Sequence, residues 1–200
     1  MKGNLKLLGG KCIKSPSGLL TRPTTSRVRE AVMNILQGEI ENSHWLDLFS
    51  GSGVVGCEAL QKGARRICSV ESNKSVSAIC KSNLLSTAAG VFQKSFIEVF
   101  STEVNRFLKE GCKKNSMKFT CNFPNSDPRF DFIYVDPPYE SDLYLPVLNN
   151  LICGGWLKKH SLIICEYSQK CLTKFPTSWE VRDKKNYGNS CIVLLTPNQA

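Results

Sequence analysis

No stretch of the 200-residue chain approaches the roughly 20 consecutive apolar residues that a membrane-crossing helix needs. The opening MKGNLKLLGGKCIK also lacks the continuous apolar segment of a secretory signal. Both absences predict a soluble, cytoplasmic protein. Histidine is scarce: His44 and His160 are the only two imidazoles, and they stand in unlike contexts. No metal site is therefore expected. The ten cysteines contain no C-x-x-C pair, which removes the usual zinc and dithiol signatures. Most of them lie in apolar runs such as ICSV, LICGG and IICEY, where a free thiol acts as a small hydrophobe. Internal repeats and low-complexity tracts are also missing.

Acidic residues are nearly missing from the first fifth of the chain. Residues 1–36 carry Lys2, Lys6, Lys11, Lys14, Arg22, Arg27 and Arg29 against Glu30 alone, so two thirds of the net charge of +9 lies there. Clustered basic charge is the footprint of a phosphate-backbone partner, and a solvated charged terminus is the plainer alternative. The hydrophobic share of 42% over this length is enough for one well-formed core.

The punctuation of the chain predicts its organisation. Short apolar pieces broken by Gly9-Gly10 and Ser15-Pro16-Ser17-Gly18 predict a small hairpin. Pro23-Thr24 then opens a helix, with Thr24 or Thr25 as its N-cap and Val28, Ala31, Val32, Ile35 and Leu36 on one face. Arg27 and Arg29 fall off that apolar stripe. From HWLDLFS onward, apolar strands alternate with helical stretches of 10–15 residues, which implies right-handed crossovers and a largely parallel sheet in an α/β fold. Gly111 to Arg129 shows no period and reads as a long inserted loop. A helix containing Pro146, the strand SLIICEYS and a pair of strands joined at Asn186-Tyr187-Gly188-Asn189 complete the chain, so the sheet should end antiparallel.

Two segments carry chemistry. Gly51-Ser52-Gly53-Val54-Val55-Gly56 fits G-x-G-x-x-G between a strand and a helix, and Glu71 follows about 20 residues on, where a carboxylate can accept from both ribose hydroxyls. A dinucleotide would set its pyrophosphate on the helix N-terminus. S-adenosylmethionine instead needs an acid for its amino group, and Asp47 just before the glycines offers one; the D-x-F-x-G-x-G arrangement favours this second ligand.

The other segment is FDFIYVDPPYE, a buried strand that ends on an acid, two prolines and an aromatic residue. Prolines lack a donor and fix φ, so this corner is stiff. Methylating the exocyclic amine of a base is difficult because its lone pair is delocalised into the ring. Acceptors aimed at the N–H bonds favour the more tetrahedral nitrogen of the transition state. Asp136 and the Pro137 carbonyl can accept, while Tyr139 can stack on a flipped base. An ordinary strand-ending turn is the alternative.

Taken together these segments resemble the bacterial 16S ribosomal RNA guanine-N2 methyltransferases, a class I S-adenosylmethionine-dependent family. The resemblance spans nearly the whole chain. It rests on LLGG, TRPTTSRVREAVMNIL, LDLFSGSGVVGCEALQKGA, SVESN, FDFIYVDPPY and GGWLKKHSLIICEYS, of which TRPT-x-x-RVRE is the most specific. It implies a Rossmann-like α/β fold, with a seven-stranded, mostly parallel sheet ending in an antiparallel hairpin and helices on both faces. It also implies an N-terminal hairpin extension at 1–23 and a catalytic domain at 24–200. By position it implies cofactor contacts at Asp47, Gly51, Gly53 and Glu71 and an active corner at Asp136, Pro137, Pro138 and Tyr139. Arg22, Thr24, Arg27 and Arg29 would face RNA or order that corner. After the third strand Ser95 and Phe96 stand where many related enzymes carry an acid or amide, so the adenine is expected to rest on them. The implied partner is 16S rRNA or the assembling small subunit, and a monomer is expected. An adenine-N6 DNA methyltransferase, an NAD-dependent oxidoreductase and a non-catalytic RNA-binding module are the competing readings.

Overall fold

Runs of β-branched and aromatic residues alternate with helical segments along the chain, and most become the element their period predicts. The computed structural model describes residues 4–16, 24–116, 127–138, 142–169 and 175–198. Strands β1 (Asn4–Lys6) and β2 (Cys12–Lys14) form the small antiparallel hairpin. Helix α1 (Ser26–Ile35) starts at Thr25, whose hydroxyl accepts from the Val28 N–H at 3.3 Å. The βα repeats follow as β3 (His44–Leu48), α2 (Val54–Gln61), β4 (Arg66–Glu71), α3 (Lys74–Ala88), β5 (Phe96–Ser101) and α4 (Val104–Lys109).

The segment read as a structureless insertion opens on a short helix, α5 (Cys112–Ser116). Its Asn115 side chain donates to the Phe107 carbonyl at 3.0 Å. Residues 117–126 lie outside the described residues. The chain continues with β6 (Phe130–Val135), α6 (Tyr144–Cys153), β7 (Leu157–Ser168), β8 (Trp179–Tyr187) and β9 (Ser190–Pro197). Pro146 is the third residue of α6, where its missing N–H has no intrahelical acceptor to lose.

The sheet runs β5-β4-β3-β6-β7-β9-β8. Strands β3 to β7 are parallel, and β9 and β8 close it antiparallel. This is the seven-stranded α/β architecture that the resemblance implies. Chain order reverses between β3 and β6, and ligands of open α/β sheets sit outside the strands' carboxyl ends at such a reversal.

The two faces of the sheet bury separate cores. Val28, Val32 and Met33 of α1, Cys57 and Leu60 of α2 and Leu84 of α3 pack on the face that shows Trp45, Phe132, Tyr134 and Ile164. Phe107 of α4, Leu148 of α6 and Trp156 pack on the face that shows Leu46, Ile133 and Val135. Side chains alternate along a strand, so Asp47, Asp136 and Glu166 leave the sheet on the first face.

Candidate active site

The turn after β3 is built around a strained residue held by hydrogen bonds. Phe49 is held at φ 62, a left-handed conformation uncommon for a bulky residue. Ser50 secures it: the backbone N–H donates to Val70 O at 3.0 Å, and the hydroxyl reaches the Asp47 and Val70 carbonyls at 2.9 and 3.0 Å. Gly51, at φ 52, donates its N–H to Glu71 Oε2 at 3.0 Å. The other Glu71 oxygen accepts the Asn73 N–H at 2.8 Å, and Asn73 in turn caps α3. Glu71 therefore fixes the glycine turn against the end of β4 while keeping lone pairs on both oxygens.

These residues wall a cavity of about 540 Å³ that runs along the carboxyl ends of the strands. Asp47, Phe49, Ser50, Gly51, Glu71 and Asn73 line it, with Glu103 and Val104 where β5 leads into α4. Thr24, Tyr134, Asp136, Pro137, Pro138 and Glu166 line it on the β6–β7 side. The volume suits a cofactor-sized ligand.

Asp47 carries an electrostatic cost. It is buried, and its Oδ2 has no hydrogen-bond partner. Burial pushes its carboxyl up to about 7; the Gly56 backbone N–H draws it down and the Glu71 carboxylate adds to the rise. A buried carboxyl oxygen without a partner, on the wall of a cavity, is satisfied by a cationic donor. The ammonium group of S-adenosylmethionine is such a donor, so the residues present fit that cofactor.

The three glycines of the loop divide their work. Gly51 faces the cavity. Gly53 does not line it: its φ is 74, and a Cβ there would lie 2.7 Å from Cys80 Sγ. Gly56 likewise faces Leu84 and Ile67. Gly53, expected at the cofactor, is not among the residues that line the cavity, and its missing side chain admits α3.

Ser95 and Phe96, expected at the adenine, are not among the residues that line the cavity. Ser95 spends its hydroxyl on the Ala64 and Gln93 carbonyls, and Phe96 pairs with Arg66 at the start of β4. Glu71, at the cavity, is paired with Ser101 instead. At about 3.3 Å per residue, Phe96 starts its strand some 16 Å from that end. Glu103 and Val104, rather than Ser95 and Phe96, line the cavity where β5 leads into α4.

Arg29 is not a surface cation. It is buried and donates from Nε to Glu58 Oε1 at 3.1 Å, from one terminal nitrogen to Thr24 O at 3.0 Å and from the other to Lys6 O at 2.8 Å. Arg27 is exposed, whereas Thr24 is buried and lines the cavity. Arg22 and Tyr139 lie outside the described residues.

The family described as "conserved hypothetical protein 95" matches residues 5–196. The chain belongs to that family. Among its curated relatives is the ribosomal RNA small subunit methyltransferase D of Haemophilus influenzae, 30% identical over 193 residues, covering 94% of this chain and 91% of the relative. The protein of the same name from Escherichia coli is 29% identical over 191 residues, covering 93% and 86%. The solved structure of yhhF from Escherichia coli superposes with a TM-score of 0.77 at 29% identity and covers 98% of both chains.

Within this family frame, the structure brings together Asp47, Gly51, Glu71, Asp136, Pro137 and Pro138, together with Thr24. The motifs alone missed Phe49, Glu103, Tyr134 and Glu166. Strand alternation gave a signal for the last two: Tyr134 lies two residues before Asp136, and Glu166 follows the Val135–Cys165 pair on the neighbouring strand.

Proposed function

We propose that the protein uses S-adenosylmethionine to methylate the exocyclic N2 amine of a guanine in small-subunit ribosomal RNA. The observation that carries this reading is the shared cavity, which joins the Asp47–Gly51–Glu71 wall to the Asp136–Pro137–Pro138 corner across the reversal of the sheet. The names of the relatives support ribosomal RNA as the substrate class, and the basic N-terminal segment is consistent with it.

Asp47 would hold the amino group of the cofactor and Glu71 its ribose hydroxyls. The bound cofactor supplies an electrophilic methyl group. Asp136 and the Pro137 carbonyl accept from the base amine and favour the pyramidal nitrogen on which the lone pair becomes available. Asp136 is half-buried, and the rigid Pro137-Pro138 pair fixes its position at the end of β6. In this reading Asp136 serves first as an acceptor, and the proton lost after transfer leaves to water.

The test is methyl transfer to small ribosomal subunits isolated from cells lacking the protein, with the labelled nucleoside identified afterwards. Label on guanine N2 is expected. Asp136→Ala should lower turnover on the order of 100-fold while S-adenosylhomocysteine binding persists. Wild-type turnover in that variant would remove Asp136 from the chemistry, and label on adenine N6 of duplex DNA would overturn the substrate.

A further inference from the structure

Glu166 poses a problem that the fold alone does not answer. Its side chain is buried on the wall of the cavity, beside the end of β6. Oε2 accepts from the Tyr134 hydroxyl at 2.7 Å. Oε1 makes no hydrogen bond among the described residues, and no cation pairs with the carboxylate there. A buried carboxylate served by one hydroxyl costs stability relative to an apolar residue of similar size. Nevertheless it is braced: the Tyr134 phenol holds Oε2 from one side, and the Tyr144 hydroxyl donates to the Glu166 backbone carbonyl. The local structure is spent on holding an acceptor whose second oxygen has no donor among the described residues.

We propose that Glu166 is the specificity-determining residue of the site, its Oε1 accepting the N1–H of the target guanine. This inference rests on the proposed guanine-N2 reaction and assigns a reader to the same site. The register supports it. Val135 pairs with Cys165, so Asp136 and Glu166 follow on adjacent strands and leave the sheet on the same face. Adjacent strands lie about 4.8 Å apart, the scale of one base edge. Guanine presents two neighbouring donors on its Watson–Crick edge, N1–H and the N2 amine. With the amine at Asp136, N1 falls toward the neighbouring strand, where Glu166 stands. Adenine carries a lone pair at N1, which would face the carboxylate oxygen and be repelled. A single acceptor at this place both positions guanine and rejects adenine. Tyr134 is a positioning residue in this scheme, since its hydroxyl occupies Oε2 and leaves Oε1 directed to the base.

The discriminating probe is RNA with 2-aminopurine at the target position, because it keeps the 2-amino group but has no proton on N1. Wild-type protein should methylate guanine on the order of 100-fold faster than 2-aminopurine in kcat/KM. Glu166→Gln presents an amide that suits either N1, so the guanine rate should fall and the ratio should narrow to a few-fold. Tyr134→Phe frees the carboxylate to turn and should narrow the ratio partway. Melting temperature and S-adenosylhomocysteine binding report whether each variant is intact. Equal wild-type rates on the two bases would overturn the proposal without any variant, as would an unchanged ratio in an intact Glu166→Gln protein. Failure of the underlying reading looks different: wild-type protein would place no methyl group on guanine N2 at all.

Discussion

At the scale of single residues, Asp47 gives the sharpest expectation. Its carboxyl, pushed up to about 7, takes up a proton on folding between the ordinary carboxylate range and that value. The folded state then binds more protons than the unfolded one, so the contribution of Asp47 to stability falls as pH rises through this window and is least favourable above 7. Asp47→Asn should raise the melting temperature of the ligand-free protein at pH 8 and change it much less at pH 5. It should also weaken S-adenosylhomocysteine binding by about 10-fold or more, through loss of a charge-assisted hydrogen bond. Wild-type affinity should decline as pH drops below 7, with the variant flat. Titration calorimetry across pH checks this, and equal affinities would remove Asp47 from the cofactor site. Asp47 was legible because an acid ends the strand directly before a glycine turn. The packing role of Gly53 was not legible, because a glycine that admits a ligand and one that admits Cys80 look the same in a sequence. Tyr139 and Arg22 keep only the roles that their motifs propose.

At the scale of elements, α1 shows what periodicity can and cannot reveal. The Val28–Val32–Leu36 stripe and the cap at Thr25 follow from helical spacing, and both are present. Nothing in that spacing says that Glu58 of α2 meets Arg29, or that the hairpin offers Lys6 O and the Leu8 N–H to the same pair. Arg29 ties three elements together, so its loss is structural. Arg29→Met leaves Glu58 buried without its cation and should cost about 3–5 kcal/mol in urea denaturation. Loss of RNA affinity with undiminished stability would reverse the assignment. The strand after α3 teaches a related lesson: FIEVF was readable as β5, but only the parallel register with β4 shows that Ser95 and Phe96 stand at the wrong end. A rule of position, that ligands meet carboxyl ends, would have moved the expectation to Glu103.

At the scale of the whole molecule, the proposed function asks where a strongly basic protein would grip RNA while a base enters the cavity. Arg29 is buried, so it is not among the exposed cations that could meet RNA. Arg27 on α1 shares a shallow surface groove with Lys185 and Tyr187 of β8. Tyr187 pairs with Ser190, which pairs with Ser168 at the carboxyl end of β7, two residues beyond Glu166. The groove thus lies on the cavity side of the sheet and sets two cations and an aromatic ring beside one acid, Glu30, so that Arg27, Lys185 and Tyr187 are its groups suited to phosphates and an unstacked base. Each phosphate contact with a single strand releases counterions worth about 0.7 in the slope of log affinity against log salt. Arg27→Ala and Lys185→Ala should each flatten that slope by about this amount, additively, with melting temperatures unchanged. Slopes that match wild type would return both residues to the solvated surface and leave RNA to be held elsewhere.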